Sequence, residues 1–366
     1  MRAAVFHGRG DIRIEDVSRP VVAEGELLIQ VRAVGICGTD AHEFSHGPAM
    51  FPIERRHPET GHLGPMIPGH ELAGVVVELG EEVDGFSVGD LVVSGAGISC
   101  GVCHWCQRGL TNLCQSYATV GLQRNGGLAE FCSVPASICV RAEPYGLDGD
   151  SAALGQPMAV AVHAMRRGRL QSGEVAVVIG VGGIGMFLAY AIYELGATVV
   201  VADLDEERLS IAGSMGAAVT VNPRQQGLAD ALANHGAVPT VIYEVSGSGS
   251  GLRTALDVAT RGSRIVAVGL QGQPAELEAR DLSLRELELI GTNAHVCSTD
   301  LPEALRVLAS RSEPWSDVAP TALSLDELVG EGIEPLAAGH SKRIKTLVDP
   351  SLSASRSTRM IVPDTR

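Results

Sequence analysis

Four cysteines fall within fifteen residues: Cys100, Cys103, Cys106 and Cys114, in the run C-G-V-C-H-W-C-Q-R-G-L-T-N-L-C. The spacing is C-x2-C-x2-C-x7-C. Two-residue gaps turn neighbouring thiolates toward one centre, and Zn²⁺ takes four such sulfurs as a tetrahedron. A cysteine-only shell is closed, so this zinc would be structural and offer no position to a substrate. A pair of disulfides is the competing arrangement, which a reducing compartment disfavours. A second, open metal site has to be sought elsewhere in the chain.

The next constellation is Gly180-Val181-Gly182-Gly183-Ile184-Gly185, a G-x-G-x-x-G run directly after the apolar stretch Val175–Ile179. Gly180 permits a tight turn, Gly182 lets a pyrophosphate approach the backbone, and Gly185 lets a helix pack on a sheet. The helix N-terminus favours the anion. A glycine triplet alone is weak; its context strengthens it. The following strand, V-V-V-A, ends in Asp203. An acid there accepts hydrogen bonds from ribose hydroxyls and repels a 2′-phosphate, which favours NAD over NADP. The competing role for Asp203 is a charge at the start of the helix E-E-R-L. Arg208 moderates the preference, because a nearby guanidinium tolerates phosphate. Ser246-Gly247 and Val268-Gly269 follow later strands, at the edge where such a sheet binds its ligand, and are expected to offer backbone contacts to the cofactor.

These residues need a scaffold, and the chain's 366 residues suffice for two domains. Short β segments are expected at Arg2–Phe6, Ile12–Val17, Glu26–Val34, Leu72–Leu79 and Asp90–Val93, heavily punctuated by turn residues. From Ser151 the pattern changes. Ser151–Met165 reads as one helix. Strands and helices then alternate: Val175–Ile179, Gly185–Leu195, Thr198–Ala202, Glu206–Met215, Ala218–Val221, Thr240–Val245, Leu252–Ala259, Arg264–Val268 and Leu287–Ile290. Alternation of this kind predicts a parallel, doubly wound sheet of six strands. The polar end from Ser351 reads as a loose tail.

Lys plus Arg is 28 and Asp plus Glu is 43, a net charge of −15. Nucleic acid and anionic membranes need a basic face, so neither is an expected partner. No apolar run is long enough to span a bilayer, and no signal-like stretch follows Met1. Both point to a cytoplasmic, reducing setting, in which Cys132, Cys139 and Cys297 are buried small apolar residues. His46, His57 and His62 read as solvated loop histidines.

Cys37 lies in G-I-C-G-T-D-A-H, and His70 with Glu71 in P-G-H-E. Taken alone, a cysteine and a distant histidine are more often core residues than ligands. Followed in order by the four-cysteine lobe and the glycine-rich turn, they make the chain resemble the zinc-dependent medium-chain alcohol and polyol dehydrogenases over residues 1–350. The loop H-E-F-S-H-G-P-A-M-F-P-I-E-R-R-H-P-E-T-G is similar to that of the 2,3-butanediol dehydrogenases, and the sorbitol dehydrogenases are the other branch the chain resembles. The resemblance implies an α/β architecture, with a GroES-like β-rich catalytic domain (1–155 and 294–366) and a Rossmann coenzyme domain (156–293), the active site lying between them. It implies that Cys37 and His70 ligate a catalytic zinc, with Glu71 a third ligand or a close alternate. Asp40 would orient His70, and Thr39 with His42 would form a proton relay. A homodimer or homotetramer is implied as well.

One departure stands out. The family usually has Glu in E-P-L-A-V-A, where this chain reads Gln156-Pro157-Met158-Ala159-Val160-Ala161. Zn²⁺ with a Cys thiolate, a neutral His and the Glu71 carboxylate carries no net charge. With the Gln156 amide in place of Glu71 it keeps one positive charge, and an amide oxygen is the poorer zinc ligand. The fourth ligand is therefore left open. The expected function is zinc-dependent, NAD-linked interconversion of a secondary alcohol, vicinal diol or polyol with its ketone. The alternatives are a specialised-metabolism reductase with a weakened or absent catalytic zinc, and a non-catalytic NAD(H)-binding protein.

Overall fold

The computed structural model describes residues 1–360 and 362. The chain forms two compact units, Met1–Ala159 with His295–Arg366, and Val160–Ala294.

In the first unit a mixed, mostly antiparallel sheet is built around the strand Glu26–Gly35. Seven of its ten residues are apolar or glycine, and these are buried, as expected of a strand covered on both faces. Glu71–Leu79 pairs antiparallel to it, and this ladder contains two register shifts. Because side chains alternate from face to face, such shifts decide which of them meet. At the far end of the ladder Gly35 lies opposite Glu71. On its other side Gly35 lies opposite Leu347 of the strand Leu347–Val348. Helix Gly38–His46 starts immediately afterwards. Three distant segments thus meet within a few residues of Cys37.

The second unit is a six-stranded sheet in which every pair is parallel. Its order is Val219–Val221, Thr198–Ala202, Val175–Ile179, Val241–Glu244, Arg264–Ala267 and Glu288–Gly291. The first and fourth strands in chain order are neighbours, which puts the order reversal beside the glycine-rich turn. The expected doubly wound sheet is present, and Val175–Ile179 and Thr198–Ala202 have the expected bounds.

Two expectations are corrected. The helix expected over Ser151–Met165 is two helices, Gly149–Ala152 and Gly155–Arg167. Pro157 has no N–H to donate back to Ala153, so it is tolerated only in a first turn. The end is also not a loose tail as far as it is described. Arg356–Ser357 forms a strand antiparallel to Thr321–Leu323. Arg356 donates to both oxygens of buried Asp150, at 2.7 and 3.0 Å, and lies 3.2 Å from Asp349. The backbone N–H of Arg359 also donates to Asp150, at 2.7 Å. Sequence periodicity cannot report a contact between residues so far apart in the chain.

Arg356→Ala leaves Asp150 buried with only backbone donors. It should cost about 3 kcal/mol of stability, toward the lower end for a broken buried pair because the arginine is partly exposed. Urea denaturation of the variant against the parent measures this, and a change under about 0.5 kcal/mol would mean the end is not clamped.

Candidate active site and metal centres

The four clustered cysteines are brought together as their spacing requires. Their sulfurs all lie within 4.8 Å of one another. Cys100 and Cys114 are 3.5 Å apart and Cys103 and Cys106 are 3.6 Å apart. A tetrahedron of Zn–S bonds has edges of about 3.8 Å, whereas a disulfide needs about 2 Å. All eight cysteines are free, so the disulfide arrangement is absent. Backbone N–H groups point at the sulfurs, from Cys100 to Cys114 Sγ and from Cys103 to Cys100 Sγ. Backbone donors, Cys106 first, hold the Cys103 thiol down at about 6. Backbone donors also lower the Cys100 thiol, whereas burial pushes Cys114 up to about 11. Cys100 and Cys103 are thus biased toward the thiolate that zinc binds, and Cys114 gives up its proton only to the metal.

The second cluster is Cys37, His70 and Glu71, whose donor atoms also lie within 4.8 Å of one another. His70 and Glu71 are buried, while Cys37 is half-buried. Cys37 caps helix Gly38–His46, and its N–H donates to Asp40 Oδ2 at 2.9 Å. Asp40 Oδ1 lies 3.8 Å from His70 Nδ1, longer than a hydrogen bond. Its fixed bond therefore positions the Cys37 backbone, and the His70 ring stands beside it. His70 Nδ1 and Asp40 Oδ1 are buried without a hydrogen-bond partner. Buried polar atoms left this way are costly. A thiolate, an imidazole and a carboxylate in one dry pocket are the donor set of an open zinc site, so the residues fit the metal.

Burial opposes a charged ring at His70, yet the Cys37 and Asp40 charges outweigh it and lift its pKa to about 9. Burial likewise pushes the Asp40 carboxyl up, opposed by His70.

Lys345, which the sequence reading missed, completes the pocket. Its Nζ donates to Glu71 Oε1 at 2.6 Å and to the Ile36 carbonyl at 3.1 Å, and lies 2.5 Å from Glu71 Oε2. Burial works against this ammonium, but the Glu71 carboxylate outweighs it and keeps the pKa above its usual value. The signal available was composition: Lys342 and Lys345 are the only lysines among 28 basic residues.

Thr39 Oγ1 lies 3.7 Å from Cys37 Sγ. His42, one helical turn on, is exposed and stacks on His46 with ring centroids 5.1 Å apart. Gln156 is buried in the first turn of helix Gly155–Arg167. No hydrogen bond joins it to Cys37, His70 or Glu71 among the described residues. Cys132 and Cys297 are buried, and burial pushes their thiols up to about 12 and about 11. They are neutral packing residues, as expected.

In the second unit, Gly180 has φ +92° and Gly182 caps helix Gly183–Glu194. A Cβ at Gly185 would overlap the Gly180 carbonyl. Val181 N–H donates to Asp203 Oδ2 at 2.7 Å, and Asp205 N–H donates to Asp203 Oδ1 at 3.0 Å. The helix-capping role considered for Asp203 belongs to Asp205, which accepts from Glu207 and Arg208 N–H. Asp203 instead clips the glycine turn to the end of the next strand. The Arg208 guanidinium is the nearest group to a Cβ built on Gly182, at 3.8 Å. Val268 and Gly269 donate to the Glu244 carbonyl at 2.8 and 2.9 Å. The buried Glu244 carboxylate, also missed from sequence, accepts from Ser246 Oγ, Gly247 N–H and Gln271 Nε2. It ties together the loops after two adjacent strands.

Residues 23–144 match the alcohol dehydrogenase GroES-like domain, and residues 183–310 match the zinc-binding dehydrogenase family. The (R,R)-butanediol dehydrogenase of Bacillus subtilis (strain 168) is 32% identical over 355 residues, covering 96% of this chain and 100% of that protein. The crystal structure of 2R,3R-butanediol dehydrogenase from Bacillus subtilis superposes with a TM-score of 0.87 at 31% identity, covering 96% of this chain and 99% of that one. A zinc-binding dehydrogenase from Sinorhizobium meliloti 1021, solved with NADP, has a TM-score of 0.84 at 29% identity and covers 95% and 99%. The chain belongs to the zinc-binding alcohol dehydrogenase family and is an oxidoreductase. No helix among the described residues is long and apolar enough to cross a membrane.

The raised His70 pKa sets a pH dependence for the zinc-stripped protein. Its folded value, about 9, exceeds the unfolded value of about 6.5. The stabilisation is therefore complete below about 6.5 and is lost as pH rises through about 9. Thermal melts of stripped parent and His70→Asn should differ most at low pH and converge by about pH 9.5. A constant gap would contradict this.

Proposed function

We propose that this protein oxidises secondary alcohols, vicinal diols foremost, to their ketones with NAD, using one catalytic and one structural zinc. The observation that carries the reading is the convergence of Cys37, His70 and Glu71 in a chain whose full-length relative is named a butanediol dehydrogenase. Cys37 and His70 are the resident ligands of the catalytic ion, and Glu71 is the carboxylate within reach. Gln156 is proposed as the polar group near the fourth position. Cys100, Cys103, Cys106 and Cys114 hold the structural ion.

When bound, zinc polarises the alcohol oxygen as a Lewis acid and NAD accepts the hydride. The protein's own groups handle position and protons. Thr39 Oγ1, beside Cys37, accepts the hydroxyl proton as it gives up its own, and the proton released passes to solvent through His42 on the same helix. The alcohol loses one hydride to the cofactor and one proton to this relay. Gly180, Val181, Gly182, Gly183, Ile184 and Gly185 cradle the pyrophosphate at the helix N-terminus. Asp203 receives the adenosine ribose hydroxyls and disfavours a 2′-phosphate. Arg208 flanks the phosphates, and the backbone at Val268 and Gly269 borders the nicotinamide half. A small-molecule alcohol or ketone is the partner. A homodimer or homotetramer in the cytoplasm remains part of the proposal.

Metal analysis should return two zinc ions per chain, falling to one in Cys37→Ser and to one in Cys106→Ser. NADH absorbance with a panel of diols, polyols and simple alcohols should show turnover, fastest on vicinal diols. Thr39→Val should lower kcat by about 100-fold or more while zinc stays at two. Asp203→Ala should narrow the preference for NAD over NADP. Full zinc with no turnover on any alcohol would overturn the reading.

A further inference from the structure

The Lys345–Glu71 pair is a built feature of the metal pocket. Glu71 and Lys345 side chains are only 1% and 5% exposed. A Cβ on Gly35 would overlap the Glu71 carboxylate and press on Lys345 Cε. Gly35 has no positive φ to explain it; its missing side chain clears the space for the pair. Lys345 is anchored a second time through the Ile36 carbonyl, one residue before Cys37. This chain uses arginine at nearly every basic position. Arginine offers a broad planar fork, lysine a compact ammonium. The compact group is the one placed in the confined space beside Gly35.

Both Glu71 oxygens face the ammonium, while one of them, Oε2, lacks a hydrogen bond of acceptable geometry. The carboxylate therefore has two claimants, the ammonium and a metal ion held by Cys37 and His70. An ammonium drawn onto a carboxylate takes electron density that would otherwise go to the metal. It also adds one positive charge to a centre that the thiolate and carboxylate would otherwise neutralise.

Resting on the metal assignment proposed above, we propose that Lys345 is a positioning residue that competes with the catalytic zinc for Glu71. It makes Glu71 a reserve ligand, so the ion is held less tightly and keeps a corner open. In the zinc-free state the same ammonium balances the buried carboxylate, which would be costly if left alone.

The test uses full-length protein, zinc-loaded and chelator-stripped. In Lys345→Met, only zinc is left to compensate Glu71. The rise in melting temperature on adding zinc should be larger than in the parent. Loss of the catalytic zinc to a chelator should be about tenfold slower or more, the scale of effects from groups behind metal ligands. Adding Glu71→Gln to Lys345→Met should remove both gains. A merely structural lysine would lower the melting temperature equally with and without zinc. Lys345→Gln, which keeps a donor without charge, should behave as Lys345→Met does. If stripped Lys345→Met is too unstable to melt, the chelator rate on the loaded protein decides. An equal zinc-induced shift, or unchanged or faster zinc loss, overturns the proposal. Cys37→Ser is the control for its foundation. Retention of both zinc ions in that variant would mean the metal assignment itself has failed. Loss of one, with Lys345→Met unchanged from the parent, would sink only the role of Lys345.

Discussion

The antiparallel register that sets Gly35 opposite Glu71 is the constraint on which the catalytic unit depends. On its other side Gly35 faces the strand that begins at Leu347, two residues after Lys345. Two residues further along its own chain comes Cys37, and one residue before Glu71 comes His70. A ladder slipped by one residue would carry Glu71 to the opposite face of the sheet. Hydrogen bonds of the backbone thus gather a thiolate, an imidazole, a carboxylate and an ammonium. None of these side chains attracts the others strongly enough to pay for that assembly alone, since each loses water on burial. The sheet supplies the free energy, and the site inherits its geometry.

Asp40 shows how the helix end contributes. Its carboxylate accepts the Cys37 N–H, one of the donors that a helix start leaves unpaired. The same side chain sits within Coulombic range of His70. One buried acid therefore fixes the backbone of one ligand and biases the charge of another.

The nucleotide-binding unit follows a different logic, in which backbone shape dominates. Gly180 is required by its positive φ and Gly185 by its close approach to the Gly180 carbonyl, whereas Gly182 has an ordinary φ and room beside it. The tight turn expected at Gly180 and the close helix packing expected at Gly185 are both present. Asp203 and Glu244 add the non-local part. Each is a carboxylate that accepts backbone N–H groups from a neighbouring turn, so each converts a flexible loop into a fixed rim. Asp203 lay in reach of sequence reasoning because a strand pattern leads straight into it. Glu244 did not, because an acid inside an apolar strand has no periodic signature of its own.

The chain alone determined the class of fold, the four-cysteine set and the glycine turn. These rest on local spacing or on strand and helix periodicity, which neighbouring residues encode. Tertiary structure decided three further matters: that Lys345 meets Glu71, that Asp150 holds the segment around Arg356, and that Asp205 rather than Asp203 caps its helix. The physical reason is common to the first two. The partners lie hundreds of residues apart, and only closure of the sheet determines which buried charge finds which counter-charge. The third turned on a hydrogen bond: Asp203 was already taken by Val181, leaving the helix to the next acid along.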